Sequence, residues 1–319
     1  MNTGTPPGGY TPPRERGYLV GAFAAMIFVG ASWGANVPVS KVMLEHYDLI
    51  PMSALRTFVA TVVLGLLLLA VEGVRALRIG LPPGRFLLLG LMMASFFATY
   101  VLGIQFSNPI SAAAVQVAGP LVSSVTVRLV TGARFDPGFG TALLLTLLGG
   151  AILAAGSLMG KGEVTLGGGE IVVLLSNAMW TLYSIKAQSW FDRASQLQRT
   201  FVASLSAWGW TALLAVVLVA FGWSRSPFGV TDGWIWTQFM AVAVFSSGLG
   251  GYFWNIGASR LGVAIASLWV NLVPFFAVLW AMAYGFWPNI YQIAGGLVAL
   301  SGVVYMQWRK LKATPPRPA

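Results

Sequence analysis

Two tryptophans stand in matching company. Trp33 precedes Asn36 and Ser40, while Trp180 follows Asn177 and precedes Ser184. Offsets of three, four and seven put each trio on one face of a helix. An indole offers stacking area, and a carboxamide offers both a hydrogen-bond donor and an acceptor. Such faces hold a small polar molecule and do no bond chemistry on it. Tyr183 lies one turn beyond Trp180 and extends its face. Similar stripes occur at Gln116, Pro120 and Ser123, at Tyr252, Asn255 and Ser259, and at Ser267, Asn271 and Pro274. With Tyr100 and Trp269, the candidate binding residues are Trp33, Asn36, Tyr100, Gln116, Asn177, Trp180, Tyr183, Tyr252, Trp269 and Asn271. The polar faces from both halves of the chain are expected to converge on one cavity. Ser40, Ser123 and Ser259 fit helix–helix contacts better, and Trp223, Trp234, Trp236 and Trp287 fit an interfacial belt.

Pro120 and Pro274 fall inside long apolar segments. Each removes an amide donor and crowds the preceding turn, so the spacing predicts a kink at each, serving either as a gate or as a fixed bend that shapes the cavity.

Ionisable chemistry is sparse. The chain has no cysteine and a single histidine, His46, which sits in a connection beside Glu45, Tyr47 and Asp48. Its acids, Glu15, Glu45, Asp48, Glu72, Asp136, Glu163, Glu170, Asp192 and Asp232, fall in termini, connections or the first turn of an apolar segment. No acid–base pair, nucleophile or metal-ligand cluster is visible in the apolar segments, so the sequence predicts neither an enzyme nor a cofactor or metal. Arg56 is the one basic residue well inside such a segment. It suits a structural partner, or a carboxylate on a bound molecule.

The elements that must position these residues follow from composition. Hydrophobic residues make up 57% of the 319 positions and charged ones 9%, against about 25% charged in a soluble domain. Apolar windows of about 20 residues recur down the chain, at 18–40, 50–71, 85–106, 109–130, 138–159, 168–190, 200–222, 233–257, 262–285 and 288–308. They are too long for barrel strands and do not alternate, so an all-α integral membrane protein of ten transmembrane helices is expected.

Basic residues test that count, because cytoplasmic connections carry the excess of Lys and Arg. With the N-terminus inside, 15 of the 19 basic residues fall on the cytoplasmic side, leaving Lys41, Lys161 and Arg225 outside and Arg56 within a span. Both termini are then cytoplasmic. The net charge of +10 is spread among connections, which suits membrane topology and argues against nucleic acid as a partner.

Setting Pro120 over Pro274 aligns Tyr100 with Trp254, Gly103 with Gly257 and Ala112 with Ala266. Near it, Gly149, Gly150 and Gly156 fall over Gly295, Gly296 and Gly302, and the Trp33 face echoes the Trp180 face. Each half holds five helices, an odd number, so the halves enter the membrane from opposite sides. Two inverted five-helix repeats can exchange two equivalent packings around a midplane site, which is the basis of alternating access.

The chain resembles the ten-helix drug/metabolite transporter superfamily, specifically the bacterial amino-acid and metabolite exporters built from two EamA-type domains. The resemblance rests on Trp33-Gly34-Ala35-Asn36 followed by Lys41, on Pro51 and Arg56, and on Tyr100 to Pro120 with its counterpart Tyr252 to Pro274. It implies EamA-type repeats at 18–159 and 168–308, between a disordered cytoplasmic N-terminus at 1–17 and a basic cytoplasmic tail at 309–319. It also implies a multi-pass protein of the bacterial inner membrane that exports amino acids or related small metabolites, with nucleotide-sugar or sugar-phosphate exchange as the alternative. The partners expected are that small molecule and the lipid bilayer; a homodimer is compatible, but a monomer suffices. Without an acid at mid-membrane, transport is expected to be facilitated diffusion.

Overall fold

The structure is a computed structural model and describes residues 16–106, 118–158, 168–191, 193–282, 287 and 289–313. Among the described residues every regular element is helical. The first half supplies α1 (Arg16–Met43), α2 (Leu49–Glu72), α3 (Pro83–Gln105), α4 (Gly119–Thr131) and α5 (Phe139–Leu158). The second supplies α6 (Gly169–Ser189), α7 (Gln196–Ala220), α8 (Gly233–Leu261), α9 (Val263–Val270), α10 (Val273–Met282) and α11 (Ile290–Ala313). The Gly17–Asn36 stretch of α1, and α2, α7 and α8 whole, are each long and apolar enough to cross a membrane. Leu66, Val71, Leu129, Ile171 and Val216 are exposed on the bundle flanks. Such surface is stable where its solvent is lipid.

Helix neighbours come in matched pairs. α1 packs on α8 as α6 packs on α3; α2 packs on α8 as α7 packs on α3; α1 packs on α10 as α6 packs on α4. The remaining major contacts, α2 with α7 and α5 with α11, join equivalents across the axis that relates the halves. The α5–α11 seam needs glycine. A Cβ on Gly149 would run into the Ala299 amide, and one on Gly302 would stand 2.7 Å from the Ala142 carbonyl oxygen.

End contacts show that the repeat is inverted. At one end Arg260 of α8 donates to the Tyr18 carbonyl at the start of α1 (3.2 Å), and Gln198 donates to the Arg78 carbonyl (3.0 Å). At the other, Arg225 pairs with Asp48 (2.9 Å). The chain runs up α1, down α2 and up α3, where the Phe106 carbonyl accepts from the Gly169 amide (3.2 Å). Thus α6, the equivalent of α1, starts at the opposite end. This is the inversion that five helices per half demands.

Several expectations are corrected. The span expected at 262–285 is broken, not merely kinked, into α9 and α10. Residue 274 is proline and gives the Val270 carbonyl no amide, so the backbone tightens: Asn271 donates to Leu268 (3.3 Å) and Leu272 to Trp269 (3.0 Å). Pro120 lies in the first turn of α4, where a missing amide costs little; residues 109–117 of that expected span lie outside the described residues. The expected span 233–257 extends to Leu261, and its middle, Val242–Leu249, is a π-helix. There the Trp33 indole presses on Gly250 and donates to the Ser246 carbonyl (3.1 Å). A side chain inserted at the hydrogen-bond ladder is a recognised cause of such a bulge. Finally, α11 stays helical through Ala313, so the basic tail expected from 309 begins as helix. Residues 314–319 and 1–15 lie outside the described residues.

The Asp48–Arg225 pair ties the α1–α2 connection to the α7–α8 connection. Asp48 also accepts from the Arg225 amide and from Ser224 Oγ (3.0 Å). The Arg225 amide and guanidinium hold its carboxyl below the usual carboxylate range. A depressed folded-state value means the stabilisation is present above the ordinary carboxylate range and is lost as pH falls through the lowered one. Asp48→Asn should lower thermal stability in detergent by about 1 kcal/mol or less near neutrality, and the gap from wild type should close in acid. A gap that widens in acid would contradict the assignment.

Candidate functional site

Three indoles meet where α1, α6 and α8 converge. Trp33 stacks on Trp254 (centroids 5.7 Å, 26°) and meets Trp180 edge-on (5.6 Å, 75°); Trp180 and Trp254 lie 5.6 Å apart. Phe96 of α3 packs on Trp180 (5.1 Å) and on Tyr100 (5.9 Å), and Tyr183 lies 5.0 Å from Trp180. The two tryptophans of the matching faces therefore touch, because α1 and α6 are equivalents that both border α8.

Their polar edges differ. Trp33 donates to Ser246, and Trp254 donates to Ser184 Oγ (3.0 Å). Trp180 Nε1 is buried with no acceptor among the described residues. A buried donor left unpaired costs about 1–3 kcal/mol. The site thus retains hydrogen-bonding capacity beside a large apolar surface.

The other candidates divide. Tyr100 joins the cluster through Phe96. Asn36 accepts from Ser40 on its own helix (2.8 Å). Asn177 donates to the Val173 carbonyl (3.2 Å) and lies against Gly119 at the α4–α6 contact, near the Thr181–Ser123 hydroxyl pair (2.8 Å). Trp269 belongs to the same buried cluster as Trp254, but its ring partner is Phe23 (6.1 Å). Asn271 is buried at the break between α9 and α10. Tyr252 packs beside Leu64, Leu68 and Leu197 of α2 and α7, in a cluster that holds none of the three indoles. Residues 252 and 254 point to nearly opposite sides of a helix, so the full convergence of polar stripes is not what forms. Ser259 likewise donates only to Ile256 of its own helix (2.9 Å). Gln116 and the side chain of Pro274 lie outside the described residues.

Trp254 and Phe96 are additions. Trp254 was signalled by its alignment with Tyr100, and Phe96 stands one turn before Tyr100 on the same face.

Below the indoles, towards the Arg78–Gln198 end, a buried polar chain ties α6, α7 and α8. Asn255 Nδ2 donates to Tyr183 Oη (3.0 Å), Thr200 Oγ1 (3.0 Å) and the Gly251 carbonyl (3.2 Å). Gln188 donates to Asn255 Oδ1 (3.2 Å), and Arg199 donates to Gln188 Oε1 (3.1 Å). Two clefts flank α2 and α7 at the Asp48–Arg225 end. One of about 360 Å³ is lined by Ser53, Leu91, Ser95 and Trp210, and one of about 550 Å³ by Phe58, Trp208 and Phe228. Both are almost wholly apolar, and neither includes an indole of the trio.

A bundle of two inverted helical repeats, apolar on its flanks and polar-aromatic where the repeats meet, defines a multi-pass membrane transporter. The chain belongs to the EamA-like transporter family, whose pattern matches residues 19–155 and 167–308, one match per repeat. It is 22% identical over 276 residues to the uncharacterized transporter YyaM of Bacillus subtilis, covering 85% of this chain and 88% of that one. It is 23% identical over 295 residues to a probable terminal-alkyne amino-acid exporter of Streptantibioticus cattleyicolor, covering 90% and 93%. A crystal structure of a 19% identical protein superposes over 93% of this chain and 99% of the other with a TM-score of 0.72, a likeness of fold.

Proposed function

We propose that this protein exports amino acids or related small metabolites across the bacterial inner membrane by alternating access. The ten helical spans have both termini cytoplasmic, and a monomer is sufficient. The observation that carries this reading is the Trp33–Trp180–Trp254 trio, drawn from both repeats and holding one indole donor with no acceptor among the described residues. Aromatic faces with a few hydrogen-bonding groups suit a zwitterion with an apolar side chain. The amino-acid exporter among the relatives supports the same substrate class. Alternating access is supported by unequal ends. The α6–α7–α8 end is cross-linked inside the bundle through Asn255, whereas among the described residues Asn36 and Ser53, on the equivalent helices at the other end, bond within their own helices and the tie is the peripheral Asp48–Arg225 pair. Sugar-phosphate exchange would want several cations at the site, but Lys186 is turned over Trp190 (5.6 Å).

Counterflow of labelled amino acids in proteoliposomes tests the carrier. A saturable overshoot of label that vanishes when the internal amino acid is omitted, leaving only equilibration, is the expected result, and non-saturating leak would indicate a pore. With equal amino acid on both sides, an imposed pH gradient or membrane potential should cause no net movement of a neutral zwitterion. Accumulation abolished by a protonophore would refute facilitated diffusion.

A further inference from the structure

Arg56 lies in α2, about 10 Å along the helix from Leu49, where a charge is costly. Its guanidinium donates to Ser247 Oγ (3.0 Å). Among the described residues no carboxylate joins it, and the ion pair found there is Asp48–Arg225. Arg56 nonetheless keeps some accessible surface between buried Ala54 and Thr57.

The repeat shows that packing does not require this charge. The alignment that sets Trp33 over Trp180 carries Leu49 to Gln196, the first residues of α2 and α7, and carries Arg56 to Ala203. The alignment that sets Pro120 over Pro274 carries Ser247 back to Met93. Ala203 and Met93 sit together in one apolar core cluster. Apolar side chains of one core cluster therefore occupy the equivalent seat between α3 and α7, whereas the seat between α2 and α8 holds a cation from the first repeat and a hydroxyl from the second.

That cation shares a stretch of backbone with Trp33. Trp33 is anchored on the carbonyl of Ser246, and Arg56 on the hydroxyl of Ser247, consecutive residues of the π-helical stretch. π-Bulges recur at functional sites because they redirect side chains locally.

We propose that Arg56 is the anion-binding group of the transport site, taking the carboxylate of the substrate while its apolar part packs on the indoles. This rests on the transport reading above. Carboxylates and phosphate esters both pair with guanidinium. One cation with one hydroxyl partner balances a single negative charge, which matches a carboxylate and leaves a phosphate dianion half neutralised.

The test is counterflow in proteoliposomes with three probe sets: a labelled mixture of the protein amino acids, the corresponding amino-acid amides, and a hexose phosphate. Wild type should exchange the amino acids at least about tenfold faster than the amides, the size of one charge-assisted hydrogen-bonded pair. Arg56→Gln should remove that preference, lowering amino-acid exchange to the level of the amides. Arg56→Lys should restore part of it, and Ser247→Ala should give a smaller loss. Equal wild-type rates for acids and amides would overturn the proposal, and this arm holds even where Arg56→Gln fails to fold. An equal fall for acids and amides in Arg56→Gln would also overturn it, making Arg56 structural. Arg56-dependent exchange of hexose phosphate in preference to amino acids would replace carboxylate by phosphate. Exchange of amides or phosphate that ignores Arg56 would overturn the anion site but leave a transporter, whereas no saturable exchange of any probe would overturn both readings.

Discussion

Trp180→Ala is expected to lower amino-acid counterflow at least about tenfold, because one ring contributes contacts to Trp33, Trp254, Phe96 and Tyr183. Each aromatic pair is worth about 0.5–1.5 kcal/mol beyond its buried area, so truncation empties the centre of the cluster. The same truncation also opens a core, and Trp→Ala commonly costs about 3–5 kcal/mol of stability. Trp180→Phe separates the two effects. It keeps most of the stacking and deletes the N–H that has no acceptor among the described residues, so stability should hold or rise while transport falls. Trp287→Ala, at a side chain 79% exposed, is the control and should change counterflow little. Unchanged transport in Trp180→Phe would mean that the indole donor does not meet substrate. Equal losses at Trp180 and Trp287 would remove the trio from the transport path.

Asn255→Leu should cost about 1–3 kcal/mol of stability. Leucine has nearly the shape of asparagine but takes away the carboxamide that bonds to Tyr183 Oη, whereas Thr200 Oγ1 and Gln188 Nε2 keep their bonds to Gln196. Buried polar groups stranded in this way cost about 1–3 kcal/mol each. Adding Tyr183→Phe removes one stranded hydroxyl, so the double variant should unfold at a higher temperature than Asn255→Leu alone. A double variant that is no better would show that Tyr183 finds water or another partner, and that the chain through Asn255 does not hold α6 to α8. Transport offers a second measurement. If this network closes one end of the bundle, weakening it should speed exchange per folded molecule even as the folded fraction falls.

The aromatic centre illustrates how differently the two kinds of evidence speak. Trp33 and Trp180 could be paired by eye, since their neighbours match and the odd number of helices per half forces an inverted axis. That they touch, and that Trp254 completes them, needed the rotation of α8. Tyr252 and Trp254 are both aromatic and only two residues apart, and nothing in α8 separates a lipid face from a protein face by polarity. The polar residues that did stand out, such as Asn36 and Ser259, spend their hydrogen bonds on their own helices.

What the sequence by itself determined was the register of helices along the chain, the twofold repeat and its inversion. Those follow from hard constraints: lipid requires long apolar runs, basic residues mark connections, and an odd number of helices before the second repeat reverses its direction. What only the tertiary structure decided was which faces meet: the indole trio, the break at Asn271–Leu272, the π-helical turn under Trp33, and the bond from Arg56 to Ser247 on that same turn. In water, burial sorts apolar from polar faces, so a helix announces its inner side. In a membrane both sides of a helix are apolar, and its rotation is settled by close packing and a few hydrogen bonds between residues far apart in sequence.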